Sequence, residues 1–188
     1  MTPSRPITTA VAAILSGLIP AASVASSGGP DAAGYTWADS TEPTGPLYNY
    51  MFAANPLTTL GDDDSDVLTL GWNFPFYGTS YGQVEVHSNG VITFGTSALP
   101  ISWINTCSLG PEAPIAAPFW DDFNPLSGGI VYYGNSGFSP NRVFVVEWYL
   151  MSNWTQTGNA SFQVQLHEAT GAVEFHYDDV DLSDPGGD

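Results

Sequence analysis

From Gly34 onward the apolar residues fall at every second position, in short runs broken by turn residues, and no stripe of helical period has useful length. In Val67 to Phe76, Leu68, Leu70, Trp72, Phe74 and Phe76 alternate with smaller or polar neighbours, which predicts a strand with one apolar face. Pro75 has no N–H to give to a ladder, so this strand belongs at a sheet edge or ends there. Gln83 to Gly95 reads as a hairpin whose register can be argued. A two-residue Asn89-Gly90 turn sets Val86 against Thr93, whereas a three-residue Ser88-Asn89-Gly90 loop sets Val86 against Ile92 and Val84 against Phe94. Only the second puts all four apolar side chains on one face, with Gly90 in the left-handed region.

A second hairpin spans Phe162 to Tyr177. Phe162, Val164 and Leu166 face one way and Gln163, Gln165 and His167 the other; after the Glu168 to Gly171 turn, Val173, Phe175 and Tyr177 resume the alternation. Ile130 to Tyr133 and Arg142 to Leu150 supply further strands, and the run Val143-Phe144-Val145-Val146 suits a strand covered on both faces. With 20 Gly and 15 Pro spread along the chain, many short strands at roughly 8–12-residue spacing predict an all-β antiparallel sandwich, of jelly-roll or related layout. A barrel is the alternative.

The start of the chain has a different pattern. Arg5, the apolar stretch Ala10 to Ile19, and small residues at Ser23 and Ala25 read as a removable export signal over residues 1–25. Ser16, Gly17 and Pro20 break a run already shorter than the ~20 residues of a membrane span. Residues 26–33 are small and suit a linker, which leaves residues 34–188 for one module.

Charge then narrows the function. The chain has 19 Asp and Glu against 2 basic residues, Arg5 and Arg142, for a formal charge of −17. Nucleic-acid binding needs a cationic footprint to displace counterions, and anionic membrane surfaces need the same; neither is available. Cys107 is alone, so an exported chain of this kind draws its stability from packing or bound ions rather than disulfides. No basic neighbour marks it as a thiolate nucleophile, and a small buried hydrophobe is its ordinary role.

Six segments together resemble a known module: Gly71 to Gly78 (GWNFPFYG), Val84 to Gly95 (VEVHSNGVITFG), Ile115 to Pro125 (IAAPFWDDFNP), Gly128 to Tyr133 (GGIVYY), Asn141 to Trp148 (NRVFVVEW) and the Phe162 to Tyr177 hairpin. In order and spacing they are similar to the nidogen-like β-sandwich modules of bacterial secreted and surface proteins, often found beside subtilisin-type peptidases. Gly34-Tyr35-Thr36-Trp37 and Gly61 to Ser65 add to the likeness, which covers about Gly34 to Asp188. The resemblance implies a non-catalytic extracellular module and transfers no active-site residue. It also implies further strands and domains after the Asp184 to Asp188 turn.

Three acidic groups are candidates for chemistry. Asp62, Asp64 and Asp66 offer carboxylates at alternate positions, an arrangement that suits a hard cation such as calcium, with its six to eight oxygen ligands. The helix-loop-helix calcium pattern is not met, since Val67 takes the glycine position and Asn73 that of the bidentate Glu. The plainer reading is a solvated turn. Asp121, Asp122 and Asn124 sit among apolar residues, where burying adjacent carboxylates costs several kcal/mol without a cation or hydrogen bonds. With one arginine left after the signal, either backbone amides cap them or calcium does. The third group is the tail Asp178 to Asp184.

Catalytic signatures are missing: His167-Glu168 has Gly171 where a zinc-protease helix needs its second His, and no G-x-S-x-G elbow occurs. The histidines fall on strands, where a solvent-facing position is the ordinary one. Trp154, in a polar stretch, and behind it Tyr48 and Tyr50, are the candidates for a sugar-stacking surface. The expectation is therefore a secreted, non-enzymatic sandwich, structural or adhesion-like, with calcium as its candidate ion. The alternative is a carbohydrate- or protein-binding accessory domain of a larger secreted peptidase or glycosidase. Its partners are an extracellular protein or glycan and neighbouring domains of the same polypeptide.

Overall fold

Strands form where the alternation is strongest and stop where Gly, Pro or Asp clusters interrupt it. The computed structural model describes residues 26–96, 104, 114–155 and 158–182; the export signal over 1–25, Cys107 and the end of the acidic tail lie outside them. In chain order the strands are β1 (Ser27–Gly28), β2 (Trp37–Ala38), β3 (Asn55–Pro56), β4 (Ser65–Phe76), β5 (Thr79–His87), β6 (Val91–Phe94), β7 (Ile115–Ala116), β8 (Ile130–Ser136), β9 (Val143–Ser152), β10 (Asn159–His167) and β11 (Val173–Asp179). One sheet runs β11-β10-β9-β8-β3 and the second β4-β5-β6-β7, while β1 and β2 pair apart from both. Every pairing is antiparallel. Among the described residues no sheet closes on itself, so the architecture is a sandwich and not a barrel.

The first hairpin takes the register that buries its apolar face: Val84 pairs with Phe94 and Val86 with Ile92. Gly90 has φ 75°, and a Cβ there would lie 2.0 Å from the Phe119 carbonyl oxygen, so only glycine fits. The second hairpin pairs Phe162 with Tyr177, Val164 with Phe175 and Leu166 with Val173. β4 is an edge strand, as Pro75 requires, and its ladder to β5 is interrupted between Thr69 and Phe74. Gly71, at φ 85°, lies inside that interruption.

Aromatic rings stack within a mostly aliphatic core. Phe94 stacks on Phe76 with centroids 4.0 Å apart, and Trp148 lies nearly parallel to Phe162 at 5.2 Å. Trp148 also donates its indole N–H to the His87 carbonyl at 2.9 Å, tying one sheet to the other. The segment expected to be a linker carries β1, which pairs with β2. Tyr77 donates its hydroxyl to Asp31, and its ring stacks on Tyr35.

The outer face of the five-stranded sheet departs from the polar, solvated face that alternation suggests. Gln163 and Gln165 are fully buried there because residues 47–54 cross it as an extended strap. Asn49 and Met51 give their carbonyls to Gln165 and Gln163, while the amides of Met51 and Ala53 reach Gln163 and Glu147. Side chains thus take the place of a neighbouring strand and satisfy the strap's main chain.

Candidate metal centre

The two acidic segments meet at one end of the sandwich, and turn geometry decides which carboxylates face one another. In the turn before β4, Asp64 accepts the Gly61 amide at 3.0 Å and the Ser65 amide at 2.9 Å, and Asp66 accepts the Val67 amide at 2.8 Å. Asp64 thus has both oxygens on backbone amides and Asp66 has one. Asp63 has φ 47°, in the left-handed region that Asp tolerates. The segment is therefore a tight turn, and alternate positions do not share a face as they would in an extended chain.

The second segment follows the same logic. Asp121 accepts the Asp122 amide at 2.8 Å, and Asn124, buried, accepts the Leu126 amide at 2.9 Å. The Asn124 amide bonds Ser152 and the Trp154 amide bonds the Asp122 carbonyl, which fastens this loop to the end of β9. Phe123 drops into the core between Phe119 and Phe162.

Asn89 joins the two loops. Buried in the β5–β6 turn, its side chain donates to Asp63 at 2.7 Å and accepts the Phe123 amide at 3.0 Å. Through this clamp Asp62, Asp63 and Asp122 each place a carboxylate oxygen within 4.8 Å of the others. Of the predicted ligands, the structure brings together Asp62 and Asp122 and leaves out Asp64, Asp66, Asp121 and Asn124. Asp63 lies outside the alternate-position set that the spacing suggests, and Asn89, as a turn residue, carries no sign in the sequence of its long-range partners.

The electrostatics are those of crowded like charges. Burial, then the Asp63 charge, raises the Asp62 carboxyl above the usual range. Burial, then Asp63, Asp62 and Asp121, does the same for Asp122. Arg142, the sole Lys or Arg after Arg5, precedes β9 at its far end. Ten strand residues separate the two, or about 30 Å. Three carboxylates offer up to six oxygens, one already bonded to Asn89, and water can complete a calcium shell. With neither imidazole nor thiol in the cluster, softer metals find no preferred ligand there.

The same residues line an open cleft of about 340 Å³ whose fourth wall is Trp154, a side chain 58% exposed. Tyr48 and Tyr50 are not in it. Both belong to the strap: the Tyr48 hydroxyl donates to Asp178 at 3.1 Å, and the Tyr50 hydroxyl is buried without a bonded partner. Burial, then the Glu147 charge, pushes the Tyr50 phenol well up. Of the three candidate aromatics, Trp154 alone lines this cleft, while Tyr48, equally exposed, lies on the strap. The histidines also differ from expectation, since His87 and His176 are each only 4% exposed.

Among the described residues no helix is long and apolar enough to cross a membrane. The family described as NIDO related matches the chain over residues 34–186, in agreement with the nidogen-like resemblance. No solved structure matches it.

Proposed function

Because the chain belongs to the NIDO-related family, we propose that it serves outside the cell as a non-catalytic β-sandwich module whose loop end is fastened by calcium. The observation that carries this reading is the meeting of Asp62, Asp63 and Asp122 from two separate loops, with no Lys or Arg side chain beside them among the described residues. Such a cluster is repulsive when empty and becomes a cross-link when a divalent cation neutralises it. Export suits a calcium-dependent fold, because extracellular calcium reaches the millimolar range at which weak loop sites fill. The role is structural or adhesive, and further domains of the same polypeptide are its nearest partners.

Thermal melting of the protein in chelator and in millimolar calcium tests the ion. Binding to the native state alone stabilises by about 2.7 kcal/mol at a hundredfold excess over Kd. We expect a raised melting temperature that chelator reverses and that Asp122→Asn removes. An unchanged melt in calcium would remove the metal from the proposal.

A second reading rests on Trp154. An exposed indole beside a cation site suits a sugar, whose ring stacks on the aromatic face while its hydroxyls reach the acids or the ion. A glycan array probed with the protein and with Trp154→Ala separates this reading from a purely structural one. Binding lost in the variant supports it, and a blank array for the parent protein overturns it.

A further inference from the structure

The strap over residues 47–54 is held by acceptors that repeat every second residue: His176 Nδ1 for the Asn49 amide at 3.3 Å, Gln163 Oε1 for Met51 at 2.9 Å and Glu147 Oε2 for Ala53 at 3.4 Å. The first is unusual, because it requires an imidazole lone pair. A ring nitrogen that accepts an N–H must itself be unprotonated, so the His176 proton belongs on Nε2. The surroundings agree, since Nε2 faces Glu174 Oε2 at 3.1 Å. The edge of the Tyr48 ring packs against the same imidazole, with centroids 5.9 Å apart.

We propose that His176 is an acid-sensitive latch for this strap: protonation of Nδ1 sets two donors, the imidazolium N–H and the Asn49 amide, against each other and releases the strap's first main-chain N–H anchor. Imidazole is the side chain suited to such a change in mildly acidic surroundings. Glu174 strengthens the effect, because the imidazolium gains an ion pair with it while losing the strap. The ring then has a favourable charged state in which the Asn49 N–H has lost its acceptor, while the Asn49 carbonyl stays on Gln165 Nε2.

Other titratable groups face this site. From β10 comes His167, whose Nε2 lies 3.3 Å from the same Glu174 oxygen; from β11 come Glu174 and Asp178. The strap supplies Tyr48 and Tyr50, and β9 supplies the buried Glu147. Glu147 is the competing trigger: burial raises its carboxyl above the ordinary range, and it anchors the strap at Ala53. Metal ligation by the His167, Glu174 and His176 group is disfavoured by the same geometry. A metal on His176 Nε2 needs that nitrogen bare, while Nδ1 already receives an N–H.

Amide hydrogen exchange of the full chain at pH 7.5 and 5.5, corrected for intrinsic rates, reads the latch. Protection of Asn49 and Met51 should fall about tenfold at the lower pH while core amides such as Val146 keep theirs. Glutamine accepts an N–H at either pH, so His176→Gln should hold the strap equally at both; Glu147→Gln should leave the pH response in place. Nitrogen-15 shifts of the imidazole in the unaltered protein give a measurement independent of any variant. They should show the Nε2–H tautomer at pH 7.5, and the Asn49 amide should shift with the same midpoint as the ring. Unchanged protection across the range, a response that survives His176→Gln, or one that vanishes only in Glu147→Gln would each overturn the proposal.

Discussion

β9 has an acidic cluster at one end and Arg142, the one Lys or Arg among the described residues, at the other, and the two ends handle charge in opposite ways. At the Arg142 end, the guanidinium is bonded to both Glu168 oxygens, donates to the Gly71 carbonyl at 3.1 Å and lies 4.9 Å from the centre of the Trp72 ring. Glu168 is held down to about 2 by that contact. At the Asp122 end three carboxylates crowd with no Lys or Arg beside them among the described residues, and two of them are pushed up. One arginine is enough to complete a corner between the sheets. The other end is left with a charge deficit that a diffusible cation can fill.

Acid should therefore act on the two ends with opposite sign. Glu168 titrates near 4.5 in an ordinary setting and near 2 in the fold. Its contribution is complete above the first value and is lost as pH falls toward the second. Asp62 and Asp122 have raised values, so their repulsion is present at neutral pH and relaxes as pH falls through the carboxylate range.

The largest expected effect comes from removing the support of the acidic end. Phe123→Ala, at a fully buried position, should lower stability by about 3–5 kcal/mol and blunt the calcium response, as denaturation with and without calcium will read. Next is Arg142→Ala, which leaves Glu168 with no ion partner. It should lower the melting temperature at pH 7, flatten the acid limb of the stability curve between pH 4.5 and 2, and leave the calcium response intact. Asp122→Asn should do the reverse in chelator, raising stability by a few tenths to about 1 kcal/mol as repulsion is relieved, with no further gain from calcium. Smallest is Trp154→Ala, within about 0.5 kcal/mol in stability because the side chain is mostly exposed; its effect belongs in ligand binding.

Much of the sandwich was legible from local pattern. The register of Val84, Val86, Ile92 and Phe94 follows from requiring one buried face, and Pro75 correctly marks an edge. The candidate site was legible only to the level of segments. Both acidic stretches contribute, but Asp64, Asp66, Asp121 and Asn124 each cap a nearby amide and fall outside the cluster, and that outcome depends on turn geometry rather than on spacing. Alternation also misjudged β10. A polar face commonly means water, yet Gln163 and Gln165 meet the strap more than a hundred residues away in sequence, a partner that no short-range period encodes.

That strap has a consequence for how the chain can vary. Because the glutamines grip peptide groups rather than side chains, most substitutions at Asn49 or Met51 leave the grip unchanged. Proline at Met51, lacking the N–H that Gln163 receives, does not. Sequence drift is thus tolerated along this stretch while its course is preserved, and a relative with no identity there can still wear the same belt.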